Sequence, residues 1–332
     1  MAGVDLNIYK FDFDLTFAVL LMNPDGTIYH RYGTRDYQSA MARMSMQSLV
    51  KVMKDSLADH VAYKKKPSPP KTMPRATIEQ MPSMARLLKK NPKQCFHCHM
   101  VYDGRRDMGR QKKQWDKNEI YRWPLPDQIG LLLDREDQVL VTKVKPSSVA
   151  SEAGLKAGDR LLKLNGQHIR THADVQWVLE NAGQEAGSLT AEINRRGITQ
   201  KSSLNLKSGW KKTDPLTVSW RPTMWATSPK PGFGGAPLKP AELKKLGLAE
   251  DAFSFRVRYI VTWGKDAYTG RNAVKAGIRK GDVVVAIDGK SDFESGRHYH
   301  SWFRLTRKIG EKAAFEIFRN GKRMTVLLPV IK

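Results

Sequence analysis

Cysteine is almost absent: the 332 residues hold two, Cys95 and Cys98. That count excludes a framework of several disulfides. No stretch approaches the roughly 18 consecutive apolar residues of a membrane span. The start, Met1-Ala-Gly-Val-Asp5, lacks the basic residues and following apolar run of a secretory signal. Acidic residues are few beside basic ones, 33 against 57, for a formal charge of +24. No helix-turn-helix, zinc-finger or RNA-recognition pattern accompanies that charge, which argues against nucleic acid as a partner. No Gly-x-Ser-Gly-Gly or Gly-x-Ser-x-Gly nucleophile segment occurs, and no Ser-Lys protease segment.

What is present allows two or three domains with real cores, since 40% of residues are hydrophobic. The charge is uneven. Residues 1–60 hold six Lys/Arg and seven Asp/Glu, whereas residues 61–126 hold sixteen and five. The basic segment suits an acidic redox protein or an anionic surface; a solvated, partly mobile linker face is the plainer alternative.

Three blocks follow. In residues 1–62, Phe17-Ala-Val-Leu-Leu-Met22 reads as a buried strand, Asn23-Pro-Asp-Gly26 as a tight turn and Thr27 to Tyr32 as a second strand. Ser45 to Leu57 reads as an amphipathic helix with Met46, Leu49, Val50, Met53 and Leu57 on its apolar face. Strand, turn, strand and helix in this order resemble the C-terminal half of a thioredoxin fold, with Thr16 where that family has its cis-proline. The family's redox half is missing, so no catalytic residue is assigned.

Residues 63–126 open with Lys64-Lys-Lys-Pro-Ser-Pro-Pro-Lys71, a basic proline-rich linker, and are expected to be mostly irregular. They contain Cys95-Phe-His-Cys-His99, the C-x-x-C-H pattern. Two thiols at this spacing can add to the two vinyl groups of haem, and the following histidine then lies under the iron. Covalent haem c through Cys95 and Cys98, with His99 as the proximal iron ligand, is therefore the leading expectation. His60, Met81, Met84, Met100 and Met108 are candidate distal ligands, and each methionine is equally a core residue. A zinc site would need four ligands, and Cys95, Cys98 and His97 or His99 fall short. A bare dithiol should open a helix after a strand, and no apolar strand precedes Cys95.

The remaining block contains an internal repeat. Ala153-Gly-Leu-Lys-Ala-Gly-Asp-Arg-Leu-Leu-Lys-Leu-Asn-Gly166 matches Ala276-Gly-Ile-Arg-Lys-Gly-Asp-Val-Val-Val-Ala-Ile-Asp-Gly289, and Ile193 to Gly197 matches Ile317 to Gly321. These segments resemble PDZ domains of the bacterial HtrA and tail-specific-protease type. The resemblance implies β-barrel domains at 127–210 and, with a linker, 211–332. PDZ domains add an extended peptide to a sheet edge and hold its terminal carboxylate in a backbone loop. In the first copy Ile129-Gly-Leu131 resembles that loop, and a helix from Ala173 through Val175 would flank the groove. His172 stands at its start, as a peptide reader or an ordinary capping residue. In the second copy Phe253-Ser-Phe255 or Leu246-Gly-Leu248 would take the loop's place, and its groove is open to being occluded or purely structural.

The whole is an α+β multidomain chain. It resembles a family of extracytoplasmic bacterial proteins, met in planctomycete-type genomes, that join a thioredoxin-like segment, a C-x-x-C-H segment and tandem PDZ domains. Phe11-Asp-Phe-Asp-Leu-Thr16, Asp25-Gly26, Arg31-Tyr-Gly33, Cys95 to His99 and Ser219-Trp-Arg221 carry the likeness. It implies a periplasmic haem-c electron-transfer protein that docks partner proteins or peptides through its first PDZ domain. The alternatives are a PDZ scaffold with a metal or dithiol site, and a thiol-disulfide or peroxide-reducing enzyme whose active site lies upstream. Covalent haem c is attached outside the cytoplasm, so an export signal, together with the missing thioredoxin half, is expected upstream of Met1, as a selenocysteine codon read as stop would produce.

Overall fold

A computed structural model describes residues 1–63 and 74–332; the proline-rich stretch expected at Lys64 to Lys71 lies outside the described residues. Asn23 to Gly26 turns the chain, with the Asp25 carboxylate accepting from the Thr27 N–H at 2.8 Å. The turn joins β1 (Val19–Met22) and β2 (Ile28–Tyr32) into an antiparallel hairpin. Helix α1 (Met46–Tyr63) follows, but with the opposite face inward. Ser48, Val52 and Ser56 are buried, whereas Met46, Val50, Met53, Leu57 and Val61 are between 42% and 73% exposed. Small residues let the helix approach closely: the Tyr32 hydroxyl reaches Ser48 Oγ at 2.8 Å, and Val52 packs with Tyr32 and Met44.

Helices α2 (Pro82–Lys90), where a short helix from Met81 to Lys90 is expected, and α3 (Met100–Gln111), in a stretch expected to be irregular, then form a small cluster. Its interior holds Leu6, Phe13, Ile78, Met81, Met84, Phe96, Val101 and Tyr102. Helix α3 comes so near that a Cβ on Gly104 would lie 2.4 Å from Met81 Sδ.

Next come β3 (Leu131–Leu133), β4 (Val141–Val144), α4 (Val149–Glu152), β5 (Arg160–Leu164), β6 (Gln167–His168), α5 (His172–Asn181), β7 (Gly187–Arg195) and β8 (Ile198–Leu206). Strands β3 and β4 pair, and β6-β5-β7-β8 form a second antiparallel sheet. Leu161, Leu164, Val175, Leu179, Leu189, Ile193 and Leu204 are the core between them. Burying each such side chain contributes about 1.5–3 kcal/mol.

The second copy comprises α6 (Thr223–Ala226), β9 (Phe233–Ala236), α7 (Pro240–Lys245), β10 (Phe255–Ile260), α8 (Ala267–Ala276), β11 (Val283–Ile287), α9 (Gly296–Thr306), β12 (Lys312–Arg319) and β13 (Lys322–Pro329). Its antiparallel sheet runs β13-β12-β11-β10-β9. The core is aromatic: Phe233, Phe255, Tyr299, Phe303 and Phe315, with Phe233 and Phe315 rings 5.2 Å apart.

The repeat has a physical cause. Asp159 and Asp282 are both buried, and each accepts a backbone N–H, from Lys156 and Arg279 respectively, at 2.8 Å. Each also holds an arginine in a fork: Arg195 at 2.6 and 2.7 Å, Arg319 at 2.8 and 2.8 Å. The same arginines reach back to the carbonyls of Gly154 and Gly277. The Gly-Asp pairs and the distant Arg are thus one polar staple, built twice. The described residues divide into two compact units, Met1–Thr213 and Asp214–Lys332, so the expected segments 1–62, 63–126 and 127–210 fall in one unit. No helix among the described residues is long and apolar enough to cross a membrane.

Candidate peptide-binding grooves

In the first unit, the Lys145 N–H donates to the Gly130 carbonyl at 2.8 Å, which sets the phase of the β3–β4 ladder. Leu132 then turns its backbone groups to β4, and those of Leu131 and Leu133 point to the opposite edge. That edge has no paired strand among the described residues. Helix α5 stands across from it, capped by Thr171 Oγ1, which accepts from the Asp174 N–H at 3.0 Å. Edge and helix are the two walls of a peptide groove.

The residues expected to read a peptide here are closed in. Ile129, Leu131 and Val175 are core side chains with at most 1% exposure. His172 is equally buried; its Nε2 donates to the Asp134 carbonyl at 3.2 Å, and its own N–H donates to the Gln138 side chain. Burial pushes its pKa down to about 3, with Arg43 adding to the effect, so the ring is neutral.

The outer face of α5 is covered by the N-terminal block. Asp174 accepts His30 Nδ1 and the Arg31 N–H, both at 2.9 Å, and Thr171 Oγ1 donates to the Arg31 carbonyl. Arg31 lies over the Trp177 ring at 3.9 Å. Gln176 donates to the Trp123 carbonyl, and the Trp123 N–H donates to Glu180, each at 2.8 Å. Between Ala173, Gln176 and this block only about 10 Å³ is empty.

The second unit repeats the two walls and leaves them apart. The Val261 N–H donates to the Gly232 carbonyl at 2.8 Å, and β9 pairs Phe233 with Ile260 and, past a bulge, Gly235 with Val257. Val257 spends its own backbone groups on Asp282 and Gly281. Phe233 and Gly235 therefore present N–H and C=O to the free edge, for β9 ends the sheet. Helix α9 is capped by Ser295 Oγ, which accepts from the His298 N–H at 3.1 Å. Counting from the two caps, His300 stands where α5 has Gln176.

Two adjoining cavities of about 350 and 230 Å³ lie along this groove, with Trp225, Tyr259 and His300 common to both. The larger reaches the loop Lys230-Pro-Gly232 and the guanidinium of Arg304. Gly232 has φ +83°, and a Cβ there would lie 2.2 Å from the Thr269 carbonyl oxygen, so the tight loop requires glycine. Lys230 pairs with Asp266, and Arg304 donates to the carbonyls of Trp225 and Thr227 at 3.3 and 2.7 Å. Burial lowers the Arg304 pKa to about 10, which leaves it cationic.

Gly232-Phe-Gly-Gly235 is thus the tight glycine loop before the edge strand β9, a segment that the sequence reading did not name. Phe255 instead opens β10, and Leu246 to Leu248 follow α7. The usable signal was the glycine pattern itself, set apart from β10 by the α7 insertion.

Residues 140–192 match the family model of the PDZ domain. The first copy is a PDZ domain. The chain is 26% identical over 164 residues to a probable periplasmic DegP-like serine endoprotease of Marinomonas, covering 48% of this chain and 30% of that one. It is 22% identical over 230 residues to the magnetosome formation protease MamE of Magnetospirillum gryphiswaldense, covering 62% and 29%. The solved HtrA-type protease AlgW with a decapeptide shares 20% identity over 44% of each chain, with a TM-score of 0.25. The chain thus spans less than a third of the length of these curated relatives. The homology is to HtrA/DegP-type proteases.

These relatives overturn the expected haem-c electron carrier and its alternatives, since serine proteases of this type need no haem. Haem c, a redox partner and thioredoxin chemistry find no support among the curated relatives. The surroundings of the motif agree. Cys95 is exposed and Cys98 half-buried, both unlinked, and the His97 and His99 rings stack 5.9 Å apart. Among the expected distal ligands, Met81 and Met84 are sealed in the α2–α3 cluster, and Met100 and Met108 pack against it. Met100 Sδ also accepts from the His97 N–H, and His60 Nδ1 meets the Tyr29 hydroxyl at 2.8 Å. The zinc alternative fails too: among the described residues no three His, Cys, Asp or Glu side chains are grouped to hold a metal ion.

Proposed function

We propose that this chain binds extended peptides, chain termini among them, in the groove between β9 and α9. It would serve as the recognition part of HtrA-type proteolysis outside the cytoplasm. The observation that carries the reading is the open β9 edge facing α9 across the two cavities. An added strand would take its main-chain hydrogen bonds from Phe233 and Gly235. Apolar side chains would rest on Trp225 and Tyr259. A terminal carboxylate would meet the tight loop at Gly232, with Lys230 and Arg304 beside it. The likeness to a periplasmic DegP-like endoprotease and to the protease MamE supports the compartment and the link to proteolysis, and the PDZ match supports the peptide-binding character.

Titration of the full chain with labelled decapeptides tests this. Trp225→Ala, at a residue 44% exposed, should weaken binding at least tenfold and leave the fold intact. Unchanged affinity in Trp225→Ala would remove the groove from the account.

A further inference from the structure

We infer that the first PDZ groove already holds an internal ligand, the side chain of Arg43. This goes beyond peptide recognition in the second unit and concerns a different groove.

Arg43 is tied down at two ends of the same wall. At the far end of β3, its carbonyl accepts from Gln138 Nε2 at 2.9 Å, and the next carbonyl, of Met44, accepts from Arg135 Nε at 2.8 Å. At the near end, its guanidinium lies 3.3 Å from the carboxylate of Asp127, in the turn that leads into Gly130 and β3. The residue thus ties the β3–β4 turn to the segment that precedes β3. On the opposite wall, burial is the main cause of the lowered His172 pKa, and the Arg43 charge adds to it. Asp36 joins the guanidinium from its other side at 3.4 Å, and the Arg43 side chain is only 17% exposed.

The chemistry differs from that of a carboxylate-binding loop. Asp127 places a negative charge at the loop, and Lys145, 3.9 Å away, is the other cation near it. A peptide carboxylate would be repelled, and a guanidinium is attracted. The first groove is therefore matched to an arginine-bearing segment, and residues 34–45 of its own chain supply it.

The test uses the full chain and a synthetic 12-mer with the sequence of residues 36–47. In wild-type protein the 12-mer should leave hydrogen exchange at Leu131 and Leu133 unchanged, because its own Arg43 fills the first groove. Arg43→Ala, or the milder Arg43→Gln, should bind it at least tenfold more tightly than wild type. The backbone amides of Leu131 and Leu133 should then gain protection from hydrogen exchange. The 12-mer carrying Ala in place of its Arg should protect those amides in neither protein. Asp127→Asn should speed exchange across residues 36–44 without capturing the 12-mer. Equal binding by wild type and both Arg43 variants, or binding by none of the three, would overturn the inference. Protection at Phe233 to Ala236 is read in the same experiment, so failure of the second groove is seen separately.

Discussion

His30 gives one ring nitrogen to Asp174 at 2.9 Å and the other to Asp59 at 2.8 Å, and so joins the N-terminal hairpin, α1 and the PDZ helix α5 through one buried ring. With a carboxylate on each nitrogen, both nitrogens donate and the ring is the imidazolium.

Burial works against that charge, but the two carboxylates outweigh it and raise the His30 pKa. A raised folded pKa contributes stability that is complete below the unfolded value, about 6.5, and is lost as pH climbs through the folded one. The urea midpoint of the first unit should therefore fall from about pH 6.5 upward. In His30→Gln the midpoint should be flat over that range, and the unfolding free energy in acid should be lower by about 3–5 kcal/mol, since two carboxylates lose their shared partner. A wild-type midpoint that rises with pH in this window would contradict the assignment.

His300 behaves in the opposite sense. Burial pushes its pKa down to about 3, helped by Arg304, so the unfolded chain binds the extra proton between pH 6.5 and 3. The second unit should lose stability as pH falls below about 6.5, with a drop of roughly 5 °C or more in melting temperature by pH 4. His300→Gln should blunt the drop, and differential scanning calorimetry reads both.

The two polar staples should be equivalent. Asp159→Asn and Asp282→Asn each take away the carboxylate charge and one of the two oxygens that the forked arginine and the backbone N–H share. Each should cost about 3–5 kcal/mol. Hydrogen exchange should place the loss in the first unit for Asp159 and in the second for Asp282.

Helix α1 gives a test of which face is inside. Met53→Gln and Leu57→Gln, on the exposed stripe, should change stability by less than about 0.5 kcal/mol. Val52→Ala should cost about 2 kcal/mol, because Val52 is 2% exposed against Tyr32 and Met44. The reverse order would mean that the stripe faces the core.

These residues also show what could be read from the sequence. Asn23 to Gly26 was legible because turn chemistry is local, and the repeated Gly-Asp because a buried carboxylate with fixed partners tolerates little else. The face of α1 was not: large apolar spacing suggested the core, while close approach through Ser48, Val52 and Ser56 decided it. The second loop was hidden because α7 separates β9 from β10, whereas a short turn joins β3 to β4. The closure of the first groove depends on contacts such as Arg43 with Asp127, 84 positions apart in the numbering. The C-x-x-C-H spacing was plain, but the core it borders joins Phe96 and Val101 to the distant Leu6, Phe13 and Ile78.

Hydrogen exchange on the full chain with and without a saturating decapeptide tests the central claim most directly. The account predicts slowed exchange at Phe233 and Gly235, with no change at Leu131 and Leu133. Slowing confined to Leu131 and Leu133, or absent from both edges, would contradict it.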